Sequence, residues 1–306
     1  MKLVLTNLSN QLFNDSRIRL NESAKKYGIQ EINSYCFDDL RKTSFFKRNK
    51  EILEQPKGIG YWLWKPYIIF ETMKELEEND IVIYSDCGIE IVASIEPLIQ
   101  LTNQQPIVLF GNSNFTNLQW TKRDCFVYMD CDSDSFWNAP HCDAAFALFR
   151  KCELSIKFLN DWITYGKNRF IISDLPNSCN EENIEGFIEH RRDQSILSLL
   201  AQKYKLDLFR MPSQFGNHYK MPKYRVENEF NCVNQINQSQ VSYYATIPYY
   251  NSPYYQLINH HRSKKDENEI LEERVETSKK IKNTILRRLK KIWLVRIMGE
   301  NNLRFK

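Results

Sequence analysis

The chain has 306 residues, 42% hydrophobic and 26% charged, with only nine glycines and ten prolines. That composition excludes collagen, low-complexity and disordered classes and fits one large globular domain with an appendage. The net charge of +4 is uneven: Lys279 to Lys306 holds ten Lys or Arg and one Glu, so the first 278 residues carry an acidic excess of five, which argues against a nucleic-acid partner for the folded body.

In chain order, Lys2 to Thr6 predicts a short buried strand, Asp15 to Tyr27 a helix, and Ile29 to Tyr35 a second strand, the start of an α/β sheet. Phe37 to Leu53 reads as one polar helix, ended by Pro56, Gly58 and Gly60. Pro66 suits the first turn of a helix reaching about Glu78, with Ile68, Ile69, Met73 and Leu76 inward. Asp80 to Tyr84, Ile107 to Phe110 and Ala144 to Phe149 predict further strands, and Cys152 to Tyr165 and Asp193 to Tyr204 further helices. Residues 212 to 262, rich in Tyr, Asn, Gln and Pro, predict irregular loops and short strands over the sheet. The expected organisation is a domain over 1–262 and a helical basic tail over 263–306.

No run approaches eighteen apolar residues, and the N-terminus turns polar after Leu5. The expectation is a cytoplasmic protein without a spanning helix or signal peptide. Its eight cysteines form no CxxC pair and are expected to be reduced thiols.

Three places carry chemistry. Ile81 to Tyr84 leads into Ser85, Asp86, Cys87 and Gly88, an acid at the carboxyl end of a buried strand, where open α/β sheets bind ligands and metal-held phosphates. Asp86 could equally cap a turn. Gly58 to Pro66 (GIGYWLWKP) sets aromatic residues and Lys65 at a helix start, which suits a nucleotide base and diphosphate, although the tryptophans could be core and Lys65 a surface cation. His190 to Gln194 (HRRDQ) crowds polar groups at another helix start, where Asp193 could be a helix cap or could grip a sugar. Phe126 to Asp134 contains a literal Asp-x-Asp, Asp130 and Asp132, as a rival acidic site. GxSxG, P-loop, HExxH and GxGxxG signatures are missing.

The series GYWLWKP, IVIYSDCG, WTKRD (Trp120 to Asp124) and HRRDQS resembles, over roughly residues 1 to 210, bacterial and viral sugar-transfer proteins related to GT-A-fold, family-eight-like glycosyltransferases. The resemblance implies a GT-A-like, Rossmann-type mixed α/β sheet flanked by helices, and a nucleoside diphosphate sugar donor held through Mn²⁺ or Mg²⁺. It places Asp86 as metal ligand, with Gly88 where a second aspartate is expected, and His260 or His261 as the late histidine ligand. Asp193 would contact the donor sugar and Gln194 would lie near the anomeric carbon. Gly60, Tyr61, Trp64, Lys65, Lys122, Arg123, His190 and Arg191 complete the expected donor site.

The expected activity is hexosyl transfer to a glycan or lipid-linked acceptor, by a retaining or an inverting route; a catalytically silent nucleotide-sugar-binding or scaffold protein is the alternative. In the tail, Ile281, Ile285, Leu289, Ile292 and Trp293 recur at helical spacing among basic residues, as expected of an amphipathic helix at an anionic membrane surface.

Overall fold

A computed structural model describes residues 1–216, 218 and 250–261, without the side chains of 112–114. Cys232 and the basic tail, with its expected membrane contact, lie outside the described residues.

Six strands form one mixed sheet: β1 (Leu3–Ser9), β2 (Glu31–Cys36), β3 (Ile81–Ser85), β5 (Ile107–Thr116), β6 (Pro140–Arg150) and β7 (Leu208–Arg210), in the order β2-β1-β3-β6-β5-β7. Strand β6 alone runs against its neighbours. A two-stranded ribbon pairs β4 (Ile89–Ile91) with β8 (Ile258–His260). Because strand side chains alternate in direction, both faces of the sheet are buried. Val4, Val82 and Tyr84 join one core, while Leu5, Ile81 and Ile83 join the other.

Helices α1 (Asn14–Lys26) and α3 (Glu96–Leu101) cover the second core with Leu20, Ala24, Leu98 and Ile99. Helices α2 (Trp64–Lys74), α4 (Glu153–Gly166) and α5 (Asp193–Lys203) cover the first. The apolar spacing of α5 reaches this core through Ile196, Leu197, Leu199 and Leu200.

Two expectations change. The segment predicted as one helix from Phe37 is three, Phe37–Lys42, Ser44–Arg48 and Lys50–Leu53. Thr43 interrupts it with an extended backbone, and its hydroxyl accepts the Phe46 N–H at 3.1 Å, capping the second piece. Asp193 is not a cap either: Arg192 holds that position, and Asp193 is the first residue of α5. All seven described cysteines are free thiols.

The GIGYW segment forms a turn that its sequence does not announce. Gly58, Ile59, Gly60, Tyr61 and Trp62 take φ values of 58°, 52°, 85°, 52° and 61°, five left-handed residues in succession. The Tyr61 N–H donates to the Lys57 carbonyl at 2.8 Å and the Trp62 N–H to the Gly58 carbonyl at 3.2 Å. Each non-glycine in this region costs about 1 kcal/mol or more, so packing must hold Ile59, Tyr61 and Trp62 there. A Cβ on Gly60 would stand 2.5 Å from the Leu53 Cα and 3.0 Å from the Ile52 carbonyl oxygen. Gly60→Ala is therefore expected to destabilise the fold by about 2 kcal/mol, through backbone displacement and left-handed strain. Urea unfolding checks this, and an unchanged midpoint at equal slope would refute it.

Candidate functional site

The carboxyl ends of β1 and β3 open onto a cleft of about 570 Å³. It is lined by Ser9, Asn10, Leu12 and Phe13, where β1 passes into α1, and by Gly58, Ile59, Trp62 and Trp64. Asp86, Cys87 and Gly88 stand at the end of β3, and His260 closes the cleft from β8. The surface is mostly apolar and aromatic, with a few polar groups, as in sites for small organic ligands. Asn10 Oδ1 is buried beside it without a hydrogen-bond partner among the described residues.

Asp86 is placed by the last rung of the sheet. Its N–H donates to the Ala145 carbonyl at 2.7 Å, one step beyond the Ser85–Phe146 pairing of β3 with β6. The Tyr84 hydroxyl donates to Asp86 Oδ1, and Lys65 Nζ lies 3.5 Å from the same oxygen. Lys65, expected as a diphosphate contact, is instead interior, 3% exposed. Its ammonium donates to the Ala144 carbonyl at 2.9 Å and lies 3.1 Å from Asp193 Oδ2. Burial acts to lower the Lys65 pKa, but the charges of Asp193 and Asp86, with Asp143 as a weaker third, hold it above its ordinary value.

Asp193 is 4% exposed. Burial raises its carboxyl pKa to about 6, against the pull of Lys65 and with a smaller push from Asp86. A buried lysine thus links a cleft carboxylate to an interior one. Gln194, half-buried beside it, donates from Nε2 to the Cys142 carbonyl at 2.6 Å.

The WTKRD and HRRDQS motifs prove to be one packed unit. The Trp120 carbonyl accepts from the Arg191 N–H at 2.9 Å and from the Ser195 hydroxyl at 2.7 Å. The His190 Nδ1 accepts the Lys122 N–H at 3.4 Å, and its other ring nitrogen bonds the Ile171 carbonyl at 2.8 Å. Burial, aided by the Lys122 charge, lowers the His190 pKa to about 3, so the ring is neutral. Lys122 is buried, donating to the Leu175 carbonyl at 2.9 Å and lying 3.3 Å from Asp124. Asp124 in turn accepts the backbone N–H groups of Ser178 and Cys179 at 2.8 and 2.9 Å.

Lys122, Arg123 and His190, expected around a donor diphosphate, therefore do not line the cleft. The first and last anchor the segment leading to α5, while Arg123 pairs with Asp132 at 2.9 Å and lies over the Trp137 ring. Arg191 lies 4.3 Å above the Trp120 ring. Tyr61 packs against the core rather than lining the cleft, where Trp62 stands instead.

His260 and His261 are carried in by the returning chain: the His261 N–H donates to the Gly88 carbonyl at 3.0 Å, and Gln214 bonds the His260 backbone at 2.8 and 3.0 Å. Of the two, only His260 lines the cleft. Among the described residues no three His, Cys, Asp or Glu side chains converge on a metal position, and no helix is long and apolar enough to cross a membrane. Asn10, Asp143 and Asp174 were not expected near the site, and they have no local signal. Trp62 and Arg192 lie inside motifs that marked it.

No family model matches the chain, and no curated protein matches its sequence. Among solved structures it is similar to mouse xyloside xylosyltransferase 1 in its apo form, at 8% identity and a TM-score of 0.44, over 86% of this chain and 98% of that one. It is similar to the WbbM bifunctional glycosyltransferase, apo, at 7% identity and 0.45, over 85% of this chain and 46% of that one. It is also similar to the galactosyltransferase LgtC in complex with donor and acceptor sugar analogues, at 11% identity and 0.41, over 85% and 87%.

Proposed function

We propose that the chain is a GT-A-type glycosyltransferase that takes a hexosyl group from a nucleoside diphosphate sugar bound in the β1–β3 cleft. One observation supports this most: an aromatic, largely apolar cleft at the carboxyl ends of parallel strands ends on Asp86, a carboxylate backed by a buried lysine. In this reading Ile59, Trp62 and Trp64 face the base and ribose, and Asn10 Oδ1 accepts from a base N–H or a ribose hydroxyl.

Among the described cleft residues none is Lys or Arg, and Lys65 behind Asp86 is shared with Asp193, so a diphosphate there would lack a cation of its own. One carboxylate and one imidazole, Asp86 and His260, would hold Mn²⁺ better than Mg²⁺, which prefers oxygen ligands alone. When bound there, the cation would neutralise charge developing on the departing diphosphate. The chain's own part is positional. Both contacts described for the Asp86 carboxylate, from Tyr84 and Lys65, fall on Oδ1, so its orientation is set before a ligand arrives.

Asp193 is too buried to take a proton from an acceptor hydroxyl in this arrangement, and in this reading it acts through Lys65. Gln194, partly exposed at the same helix start, is the better candidate beside the reacting carbon, which favours a retaining route. The basic, amphipathic sequence of residues 263–306 supports a lipid-linked acceptor at an anionic surface.

A panel of nucleoside diphosphate sugars, with and without Mn²⁺, tests the reading by thermal stabilisation and donor hydrolysis. A donor at one hundred times its Kd is expected to stabilise the fold by about 2.7 kcal/mol, more with the cation than without. Binding without turnover would support the nucleotide-sugar-binding alternative. A panel with neither would reject sugar transfer and favour the scaffold alternative.

A further inference from the structure

Two strained backbones flank a single carboxylate. On one side the left-handed run from Gly58 to Trp62 forms a wall of the cleft, and Lys57 immediately precedes it. On the other, Arg192 holds φ 56° and ψ −114° directly before Asp193, a conformation that costs a non-glycine residue about 1 to 3 kcal/mol. Asp174 touches both. Its Oδ2 is 3.0 Å from Lys57 Nζ. The Arg192 guanidinium donates to it through two nitrogens, Nε to Oδ1 and Nη2 to Oδ2, each at 3.0 Å. Glu189 adds weaker arms, 3.1 Å from Arg192 Nη2 and 3.8 Å from Lys57 Nζ.

We propose that Asp174 is a positioning residue that fastens the left-handed wall of the cleft to the start of α5, and so keeps Asp193 against Lys65. The geometry favours positioning over bulk stability. The Asp174 side chain is 37% exposed, and ion pairs in such surroundings contribute about 0 to 1 kcal/mol to folding. The segments it joins hold strain of greater size, so they relax before the fold opens. Arg192 is the better-buried partner, 5% exposed, and its planar fork meets both carboxylate oxygens, which fixes direction as well as distance. Helix capping does not hold these segments in its place, since neither Arg192 nor Leu63, the cap residues of α5 and α2, makes a side-chain cap bond.

The effect on sugar transfer rests on the function proposed above; the bridge itself does not, and the experiment separates them. Asp174→Asn in the full chain is to be compared with the native protein by hydrogen exchange and by ¹³C NMR titration of the Asp193 carboxyl. Exchange is expected to quicken about tenfold or more in both 57–63 and 190–196, and to stay unchanged in the central strands. The Asp193 pKa is expected to shift, upward by withdrawal from Lys65 and downward by the water that a loosened helix start admits, so the exchange pattern decides the test and the titration accompanies it.

Faster exchange at one segment alone, or at neither, would overturn the bridge. Lys57→Gln, at a half-exposed position, is the second variant, expected to quicken exchange strongly at 57–63 and more weakly at 190–196; no change at 190–196 would also overturn it. Donor turnover of Asp174→Asn should fall about tenfold or more. Full turnover alongside the expected exchange and titration would support the bridge while counting against the transfer chemistry.

Discussion

Asp86→Asn is expected to lower turnover of the best donor about a thousandfold, the scale of losing a main electrostatic contact to a charged transition state. The change is nearly isosteric, and the amide oxygen still accepts from the Tyr84 hydroxyl, so the strand-end geometry survives. What disappears is the charge that would hold a divalent cation and one of the two carboxylates paired with Lys65. Folding stability should change little, since the Asp86 side chain is 37% exposed and Asp193 remains as the buried partner.

The same assay decides between the two acidic motifs. Asp132 is occupied in a surface loop, accepting from Arg123 Nη2 at 2.9 Å and from the Trp137 indole at 3.0 Å. Asp130 is exposed in the same loop, so Asp130→Asn is expected to keep native turnover. Loss of activity in Asp130→Asn with retention in Asp86→Asn would move the site away from the cleft altogether.

Asp193→Asn should affect fold and activity together. As a mere cap replacement it would be nearly silent, but the cap position belongs to Arg192, and the Asp193 carboxylate balances a buried ammonium. Removing Asp193 leaves Lys65 with Asp86 alone but also removes a carboxylate that is itself costly to bury, so the loss should stay well below the roughly 3 to 5 kcal/mol of a wholly unpaired buried ion. Adding Lys65→Met should recover much of that stability without recovering turnover. A double variant no more stable than Asp193→Asn would show that the pair is not the source of the loss.

The pH dependence carries a sign. With a folded pKa of about 6, above the ordinary carboxylate value, the native state holds the Asp193 proton more tightly than the unfolded chain. Its contribution to stability is present below about pH 4 and is lost as pH rises to about 6. Activity should run the opposite way: the ionised form pairs with Lys65, so turnover should fall on an acid limb near pH 6. Denaturant midpoints and a pH–rate profile on the same protein check both slopes, and a native profile flat from pH 5 to 7 would remove Asp193 from the chemistry.

The α/β alternation, the main strands and helices, and the position of Asp86 at the end of β3 were determined by the sequence alone. These features depend on short-range physics: the period of apolar residues and the interruption by Pro56, Gly58 and Gly60. The motifs likewise marked the segments that converge on the site. The roles within them depended on tertiary structure. Lys65 and Lys122 read locally as cations free to meet phosphate, yet both are buried against groups remote in the chain, Asp193 and the Ala144 carbonyl for Lys65 and the Leu175 carbonyl for Lys122. His190 became a neutral packing group for the same reason, desolvation among neighbours remote in sequence.

The left-handed run at Gly58 to Trp62 was equally hidden, since three of its five residues disfavour that conformation and only surrounding contacts hold them in it. Asp174 and His260 reach the site through a loop pinned by Asp124 and a strand added to β4. Local pattern decides which elements form and which apolar residues are buried. Where a charge sits, and whether it faces a ligand or another charge, is decided by long-range pairing in a low-dielectric interior, which spacing along the chain does not encode.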